Sequence, residues 1–166
     1  MRVVHSRIYI LLFGLAFFAP SAQSDEDCTF SIAGVLESVK RIAEQFPGAL
    51  IDDEQIRATW VLDNGDLEFY SRGGCHDLGG AAGRVTRMPE RRNPEAVRAV
   101  VVKLVQKFLQ DPEAELILDA FEIGSYETDA IDSKELIFID HPFGEIVVTH
   151  TFADGSDTVE VAWPIL

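Results

Sequence analysis

The chain has 166 residues, of which 47% are hydrophobic, and its 28 acidic against 14 basic side chains give a formal net charge of −14 at pH 7. Such a charge repels nucleic acid and anionic membranes, so nucleic-acid binding is excluded as the main function. The length is typical of one domain with a core of its own.

The N-terminal segment has the order of regions found in secretory signal peptides. Arg2 and Arg7 precede an uncharged apolar run, and small residues follow it. The run is too short to span a bilayer comfortably, which favours a cleaved leader over a membrane anchor. We predict a signal peptide over residues 1–24, cleaved after Ser24, and a single domain over residues 25–166. The protein would then be periplasmic or secreted, with no stable membrane anchor.

Two cysteines remain after cleavage, Cys28 and Cys75. In an oxidising compartment, an even and isolated pair predicts one disulfide. The bridge would close a loop of about 46 residues, which a chain-entropy model values at about 4 kcal/mol. It would tie the start of the mature chain to the end of a strand.

The first half of the domain predicts a helix and a hairpin. Apolar residues recur at helical spacing over residues 32–46, after Ser31 as a cap. The dipeptide Asn64-Gly65 favours a two-residue type I′ turn. That turn would place two apolar pairs on one face, namely Leu62 with Leu67 and Trp60 with Phe69. A weaker strand is expected over roughly 83–88.

The second half predicts two more helical stretches and a meander. Asn93-Pro94 is typical of a helix start, and Asp111-Pro112 ends that helix and can start a short one over 113–121. Three strands follow, with Asp154-Gly155 in the second of their turns. The predicted class is α+β, with two helical segments packed on antiparallel hairpin or meander sheets in the order helix, strands, helix, strands. No residue-level repeat is visible, and the pattern leaves open whether there are one or two sheets.

The stretch SRGGCHDLGG, residues 71–80, places Cys75, His76 and Asp77 side by side among glycines. Neighbouring residues on an extended chain point apart, so they do not form a nucleophile and base pair, and a disulfide consumes the thiol. The glycines, Gly80 and Gly83 included, lack the pattern of a phosphate-binding loop. We therefore interpret the stretch as a loop that turns sharply around the disulfide, with a non-catalytic His76.

The other histidines of the mature chain, His141 and His150, lack the close ligand spacing of a zinc motif, and we predict no metal and no cofactor. His150 falls in phase with Ile146, Val148 and Val159, which favours a hydrogen-bonded histidine of the core. His141 precedes a proline and is expected in a turn.

Charge is distributed unevenly along the chain. Arginines cluster over residues 72–98, whereas residues 111–166 carry many acids and the single cation Lys134. A positive and a negative region would each steer a charged partner. The alternative is that the arginines neutralise acidic neighbours of their own chain. The candidate binding residues are Arg84, Arg87, Arg91, Arg92, His76, Trp60 and Tyr70.

These patterns favour an exported, non-catalytic protein-interaction module with an acidic surface, such as an inhibitor, an immunity-type protein or an accessory binding protein. Its partner would be another exported or envelope protein, and a basic one is the complement of this charge. One alternative is a small periplasmic hydrolase that pairs His76 or His150 with Asp77 or Asp140. Another is a glycan-binding envelope domain that uses Trp60, Tyr70 or Trp163.

Overall fold

A computed structural model describes the chain over five ranges, which are residues 30–73, 79–109, 113–131, 134–141 and 144–164. Within these ranges the helices are α1 (Ile32–Gln45), α2 (Pro94–Phe108) and α3 (Glu113–Ile123). The strands there are β1 (Leu50–Asp52), β2 (Arg57–Val61), β3 (Leu67–Arg72), β4 (Gly80–Arg87), β5 (Glu127–Ile131), β6 (Lys134–His141), β7 (Gly144–Ala153) and β8 (Ser156–Trp163). The α+β class is confirmed. The observed order is one helix, four strands, two helices and four strands, so the predicted order of helix, strands, helix, strands is not confirmed, and α3 occupies the place of the short helix predicted over 113–121.

All eight strands belong to one antiparallel sheet, with the order β1-β2-β3-β4-β8-β7-β6-β5. Each half of the chain supplies four consecutive strands, and the halves join where β4 pairs with β8. Helix α1 packs on β2 and β3, while α2 packs on β4, β8 and α3. The helices thus cover one face of a continuous sheet, which answers the question that the sequence left open.

Both long helices begin at the predicted caps. The Ser31 hydroxyl accepts the N–H of Gly34 at 3.4 Å, and the Asn93 side chain accepts the N–H of Ala96 at 2.8 Å. Pro94 occupies the start of α2, where no N–H is needed. The helix residues buried toward the sheet are Val35, Val39 and Ala43 from α1 and Val97, Val100, Val101, Leu104, Val105 and Phe108 from α2.

The turn predicted at Asn64-Gly65 is wrong by one residue. The loop contains three residues between Leu62 and Asp66, and only Gly65 has a positive φ, of 84°. Asn64 instead accepts the Asp66 N–H with its side chain, at 3.1 Å, which favours a type I turn followed by a left-handed glycine. Trp60 therefore lies opposite Glu68, and Phe69 points to the other face of the sheet.

The turn predicted at Asp154-Gly155 is confirmed. Both residues have positive φ, 53° and 67°, and the flanking Ala153 and Ser156 are paired. These are the features of a two-residue type I′ hairpin. The resulting register places His150 beside Val159 on the covered face, as predicted.

Strand β4 is longer than the predicted 83–88, and its glycines serve packing. A Cβ at Gly80 would collide with the ring of Trp163, and one at Gly83 would collide with the ring of Phe69. On the uncovered face the Arg57 guanidinium lies 4.5 Å from the Phe69 centroid. Gly80 and Gly83 are therefore strand residues that make room for aromatic rings, which corrects their assignment to a loop around the disulfide.

Several predictions fall outside the described residues. They are the leader over residues 1–24, the Cys28–Cys75 disulfide, and the environment of His76 and Asp77. Among the helices of the described ranges, none combines the length and apolarity needed to cross a bilayer.

Candidate functional site

A row of polar side chains crosses the helix-covered face of the sheet. Glu68 on β3 is paired with Arg84 on β4, and His150 on β7 is paired with Glu135 on β6. Val159 lies between the two pairs, because it is opposite both Arg84 and His150. Glu68 is 3% exposed and His150 is 2% exposed, so ionisable side chains are buried in both halves of the domain.

In the first half, Glu68 accepts hydrogen bonds from two cations. Arg84 donates Nε to Oε1 at 3.0 Å and also contacts it through Nη2, and Lys107 donates Nζ to Oε2 at 2.7 Å. The same Lys107 Nζ lies about 5 Å from three aromatic centroids, those of Phe46, Trp60 and Phe108. We call Glu68, Arg84 and Lys107 the Glu68 cluster.

The protonation of Glu68 follows from these contacts. Burial raises the pKa of its carboxyl, but the hydrogen bonds and charges of Arg84 and Lys107 outweigh burial and hold the pKa below its ordinary value of 4.5. The carboxylate is therefore ionised at neutral pH, with both oxygens occupied by donors. Glu68 therefore acts as the buried counter-charge of Arg84 and Lys107.

In the second half, His150 lies between two carboxylates. Its Nε2 is 2.8 Å from Oδ2 of Asp157, and its Nδ1 is 3.1 Å from Oε2 of Glu135. Both ring nitrogens therefore face a carboxylate oxygen within hydrogen-bond distance. Asp157 is fully buried, at 0% exposure, which makes its partners a structural necessity.

Arg92 completes the surroundings of Asp157. Its backbone N–H donates to Oδ2 at 3.1 Å, its Nη1 donates to Oδ1 at 3.0 Å, and its Nη2 donates to the Thr86 hydroxyl at 2.7 Å. At the surface, Arg91 is 3.3 Å from the other oxygen of Glu135. We call His150, Asp157, Glu135, Arg91 and Arg92 the His150 cluster. It fastens the segment before α2 to strand β8.

The His150 cluster borders a cavity of about 570 Å³, which we call the His150 cavity. Its apolar lining includes Val97, Phe121 and Val148, and its polar lining includes His150 and Glu135. The cavity lies between the first turns of α2, the end of α3 and strands β5 to β7. A volume of this size accommodates a large side chain or a small molecule.

The cavity lining includes Asp129, which belongs to a strongly negative surface of the second half of the domain. Exposed carboxylates lie there on α3, on β5 and at the ends of β6 and β7, and they are Glu115, Asp119, Glu122, Glu127, Asp129, Asp140 and Glu145. In the described part of the chain, none of them forms an ion pair. Three apolar side chains are exposed among them, namely Ile123 at 76%, Tyr126 at 39% and Ile131 at 52%. We call this surface the acidic end.

Most of the candidate arginines are occupied within the fold. Arg84, Arg91 and Arg92 are paired with Glu68, Glu135 and Asp157. Arg87 is exposed and forms no ion pair with the described residues. For the three paired arginines, the structure agrees with the alternative that they neutralise acids of their own chain.

The candidate aromatic residues belong to the core. Trp60 is 5% exposed and donates its indole N–H to the carbonyl of Phe46 at 2.6 Å. Tyr70 stacks between Phe108 and Trp163, with centroids 5.7 and 6.1 Å away. Burial raises the pKa of the Tyr70 phenol, and Arg72 opposes that shift. Trp60, Tyr70 and Trp163 therefore offer no exposed ring on which a sugar would stack.

Within the described residues, His150 is not brought together with Asp140 as a hydrolase site would need, and the predicted pair of His76 with Asp77 lies outside those residues. Asp140 is paired with Glu145, away from His150, whose ring nitrogens are both engaged by other carboxylates. His141 ends β6, and at about 3.4 Å per residue its backbone is roughly 20 Å from that of Glu135, which faces His150. No group of His, Cys, Asp and Glu in the described ranges has an arrangement suited to a metal ion.

The partners in both clusters are not evident from local sequence patterns. Asp157 stands in the buried phase of β8 among apolar residues, and a polar residue in that phase is the signal that could find it, as it does for His150. Glu68 gives no such signal, because the register predicted for the Asn64-Gly65 turn places it on the face opposite Trp60. Comparisons with family models, curated proteins and solved structures give no match for this chain, so the site is interpreted from its own geometry.

Proposed function

We propose that the protein is an exported, non-catalytic interaction module that binds a basic protein through the acidic end. The observation that carries this proposal is that the acidic end has carboxylates unpaired within the described part of the chain, while several basic side chains are paired inside the fold. The carboxylates of the acidic end have no basic partner among the described residues, whereas Arg84, Arg92 and Lys107 are used inside the fold. Export rests on the signal-peptide pattern at the N-terminus.

Unpaired surface charge of one sign favours encounter with a partner of the opposite sign. Such steering raises association rates by orders of magnitude at low ionic strength, while affinity depends on the contacts made afterwards. The exposed side chains of Ile123, Tyr126 and Ile131 supply apolar contact area within the acidic end. Inhibitors, immunity-type proteins and accessory binding proteins all work by this kind of contact.

The buried clusters support binding rather than catalysis at His150. Neither ring nitrogen is left to accept a proton from a nucleophile, because each faces a carboxylate. The cluster instead holds β6, β7 and β8 together beside the acidic end. A rigid support of this kind keeps a binding surface in shape.

The test compares two variants that lose equal charge. In the acidic-end variant, Glu115, Glu122 and Glu127 become Gln and Asp140 becomes Asn. In the matched control, the exposed Glu37, Glu44 and Glu54 become Gln and Asp53 becomes Asn. Each immobilised protein is exposed to an envelope extract, captured proteins are identified by mass spectrometry, and association rates are measured over a range of salt concentrations.

We expect the wild type and the control to capture the same basic protein, and the acidic-end variant to lose it. The association rate of wild type should fall steeply with added salt, because salt shortens the Debye length. Capture that survives in the acidic-end variant, or that shows no dependence on salt, would contradict the proposal.

A further inference from the structure

The sheet has two edge strands, and they differ in how well they are protected. Strand β1 has three residues, whereas β5 has five, Glu127–Ile131, all exposed. Natural proteins usually protect an edge with lysine, proline, a bulge or a very short strand. The β5 segment contains neither lysine nor proline.

One backbone N–H of β5 is hydrogen-bonded to the side chain of the preceding residue. The N–H of Ala130 donates to Oδ1 of Asp129 at 2.7 Å. Every second residue of an edge strand directs its backbone N–H and C=O away from the sheet. A nearby short polar side chain can accept such an N–H when no neighbouring strand is present. An incoming strand would accept the Ala130 N–H and release the Asp129 carboxylate for a positive charge.

The same strand borders the His150 cavity. Thr128 and Ala130 line it, and their register partners Ile137 and Glu135 confirm that they lie on the helix-covered face. Side chains alternate between the two faces of a strand. A strand added beside β5 would therefore direct every second side chain toward the mouth of the cavity.

The lining of the cavity suits a basic side chain. Glu95 and Asp129 contribute carboxylates that form no ion pair with the described residues, and Phe121 and Tyr126 form a tilted ring pair with centroids 5.5 Å apart. Arg98 of the chain itself already places its guanidinium 5.7 Å from the Phe121 centroid. A lysine or arginine stem would pack on the apolar lining while its charge meets the carboxylates.

We propose that β5 receives an extended basic segment of the partner as an added strand, with one of its lysine or arginine side chains in the His150 cavity. This inference rests on the proposed function, since it names how the basic partner docks. A second copy of the chain is a poor occupant, because Glu127 and Asp129 of both copies would crowd like charges along the new pair.

The test uses a synthetic peptide of alternating lysine and valine, and a control peptide of equal charge in which proline replaces valine. Proline removes the backbone donors that strand pairing needs. Hydrogen exchange of the backbone amides is followed by NMR. We expect the lysine–valine peptide to slow exchange at Thr128 or Ala130 about tenfold or more and to shift the ring signals of Phe121 and Tyr126, whereas the control peptide does neither.

Two variants of the protein at one position of β5 also test strand addition. Ala130→Pro removes one edge donor at a position where edge strands tolerate proline, and Ala130→Ser keeps that donor. We expect Ala130→Pro to bind the lysine–valine peptide about tenfold more weakly than Ala130→Ser does, because only the serine variant keeps the donor. If Ala130→Pro does not fold, the exchange data on wild type still decide.

The outcomes separate this inference from the proposed function. Equal binding of both peptides, with no slowed exchange on β5, would overturn strand addition and leave the acidic end as a purely electrostatic surface. Protection of β5 by self-association without peptide would also overturn it. If neither peptide binds and the acidic-end variant still captures the partner, both proposals fail.

Discussion

The two halves of the sheet bury charge in opposite ways. In the first half, one carboxylate, Glu68, is enclosed by two cations and by aromatic rings. In the second half, a histidine is enclosed by two carboxylates and borders a cavity. In the first cluster the carboxylate is buried but its two cations reach water, whereas the second cluster lies between the core and a negative surface. Similar layouts thus produce a structural ion cluster in one half and a candidate site in the other.

The largest expected effect is at the centre of the His150 cluster. Asp157→Asn keeps the size of the side chain but removes the charge that both Arg92 and His150 face. We expect the free energy of unfolding to fall by about 3–5 kcal/mol, because a buried ion pair loses one partner. Urea denaturation measures the change. Asp154→Asn is the matched control, since Asn also tolerates the positive φ of that turn, and should cost no more than about 0.5 kcal/mol. A loss at Asp157 as small as at Asp154 would mean that the cluster does not support the fold.

The Glu68 cluster should be less sensitive. Glu68→Gln leaves Arg84 and Lys107 without their counter-charge, but both cations reach water, with side chains 17% and 25% exposed. We expect a loss of about 2–3 kcal/mol in the free energy of unfolding. The exposed Glu54→Gln is the control in the same urea measurement. A loss larger than that of Asp157→Asn would reverse the ranking of the two clusters.

Acid should weaken the first cluster in a defined direction. The pKa of Glu68 is lower in the folded protein than its ordinary value of 4.5. Its contribution to stability is therefore complete above about pH 4.5 and is lost as the pH falls through the lowered folded pKa. The stability difference between wild type and Glu68→Gln should shrink below pH 4.5, as followed by urea denaturation at a series of pH values. A difference that grows on acidification would show that the folded pKa is raised.

The smallest effect is expected at the rim of the His150 cluster. Arg91 and Glu135 form an ion pair whose side chains are 37% and 48% exposed. Exposed pairs of this kind contribute about 0–1 kcal/mol. Arg91→Gln should accordingly lower the midpoint of thermal unfolding only slightly. A loss comparable to that of Asp157→Asn would show that the rim shares the role of the buried centre.

The sequence predicted correctly those helix starts and turns that depend on only a few neighbouring residues. The caps at Ser31 and Asn93 and the turn at Asp154-Gly155 depend on a few neighbouring residues, and all three are confirmed. The Asn64-Gly65 turn failed because the Asn64 side chain binds the backbone and favours a longer loop. Strand β5 was missed because all its side chains are exposed, so its residues show no apolar alternation.

The two clusters depend on contacts between residues that are far apart in the sequence, and local sequence patterns do not predict such contacts. Glu68 meets Lys107 only because α2 crosses the sheet above it, and Arg92 meets Asp157 only because β8 returns beside β4. Charge along the sequence indicated a negative region, and exposure in the structure locates its unpaired carboxylates. Pairings over such distances follow from topology, which the composition of a segment does not determine.

The pairing of β4 with β8, which we call the seam, joins the two halves of the sheet and should slow folding. Each hairpin on either side closes a short loop, whereas pairing Arg87 with Ser156 must close a loop that contains α2, α3 and three strands. Closing a long loop costs chain entropy before any contact compensates for it, and such non-local pairings slow folding. We therefore expect the outer hairpins to form early and the seam to form late. Side chains that span the seam, Arg92 and Asp157 among them, would then govern how fast the native protein unfolds.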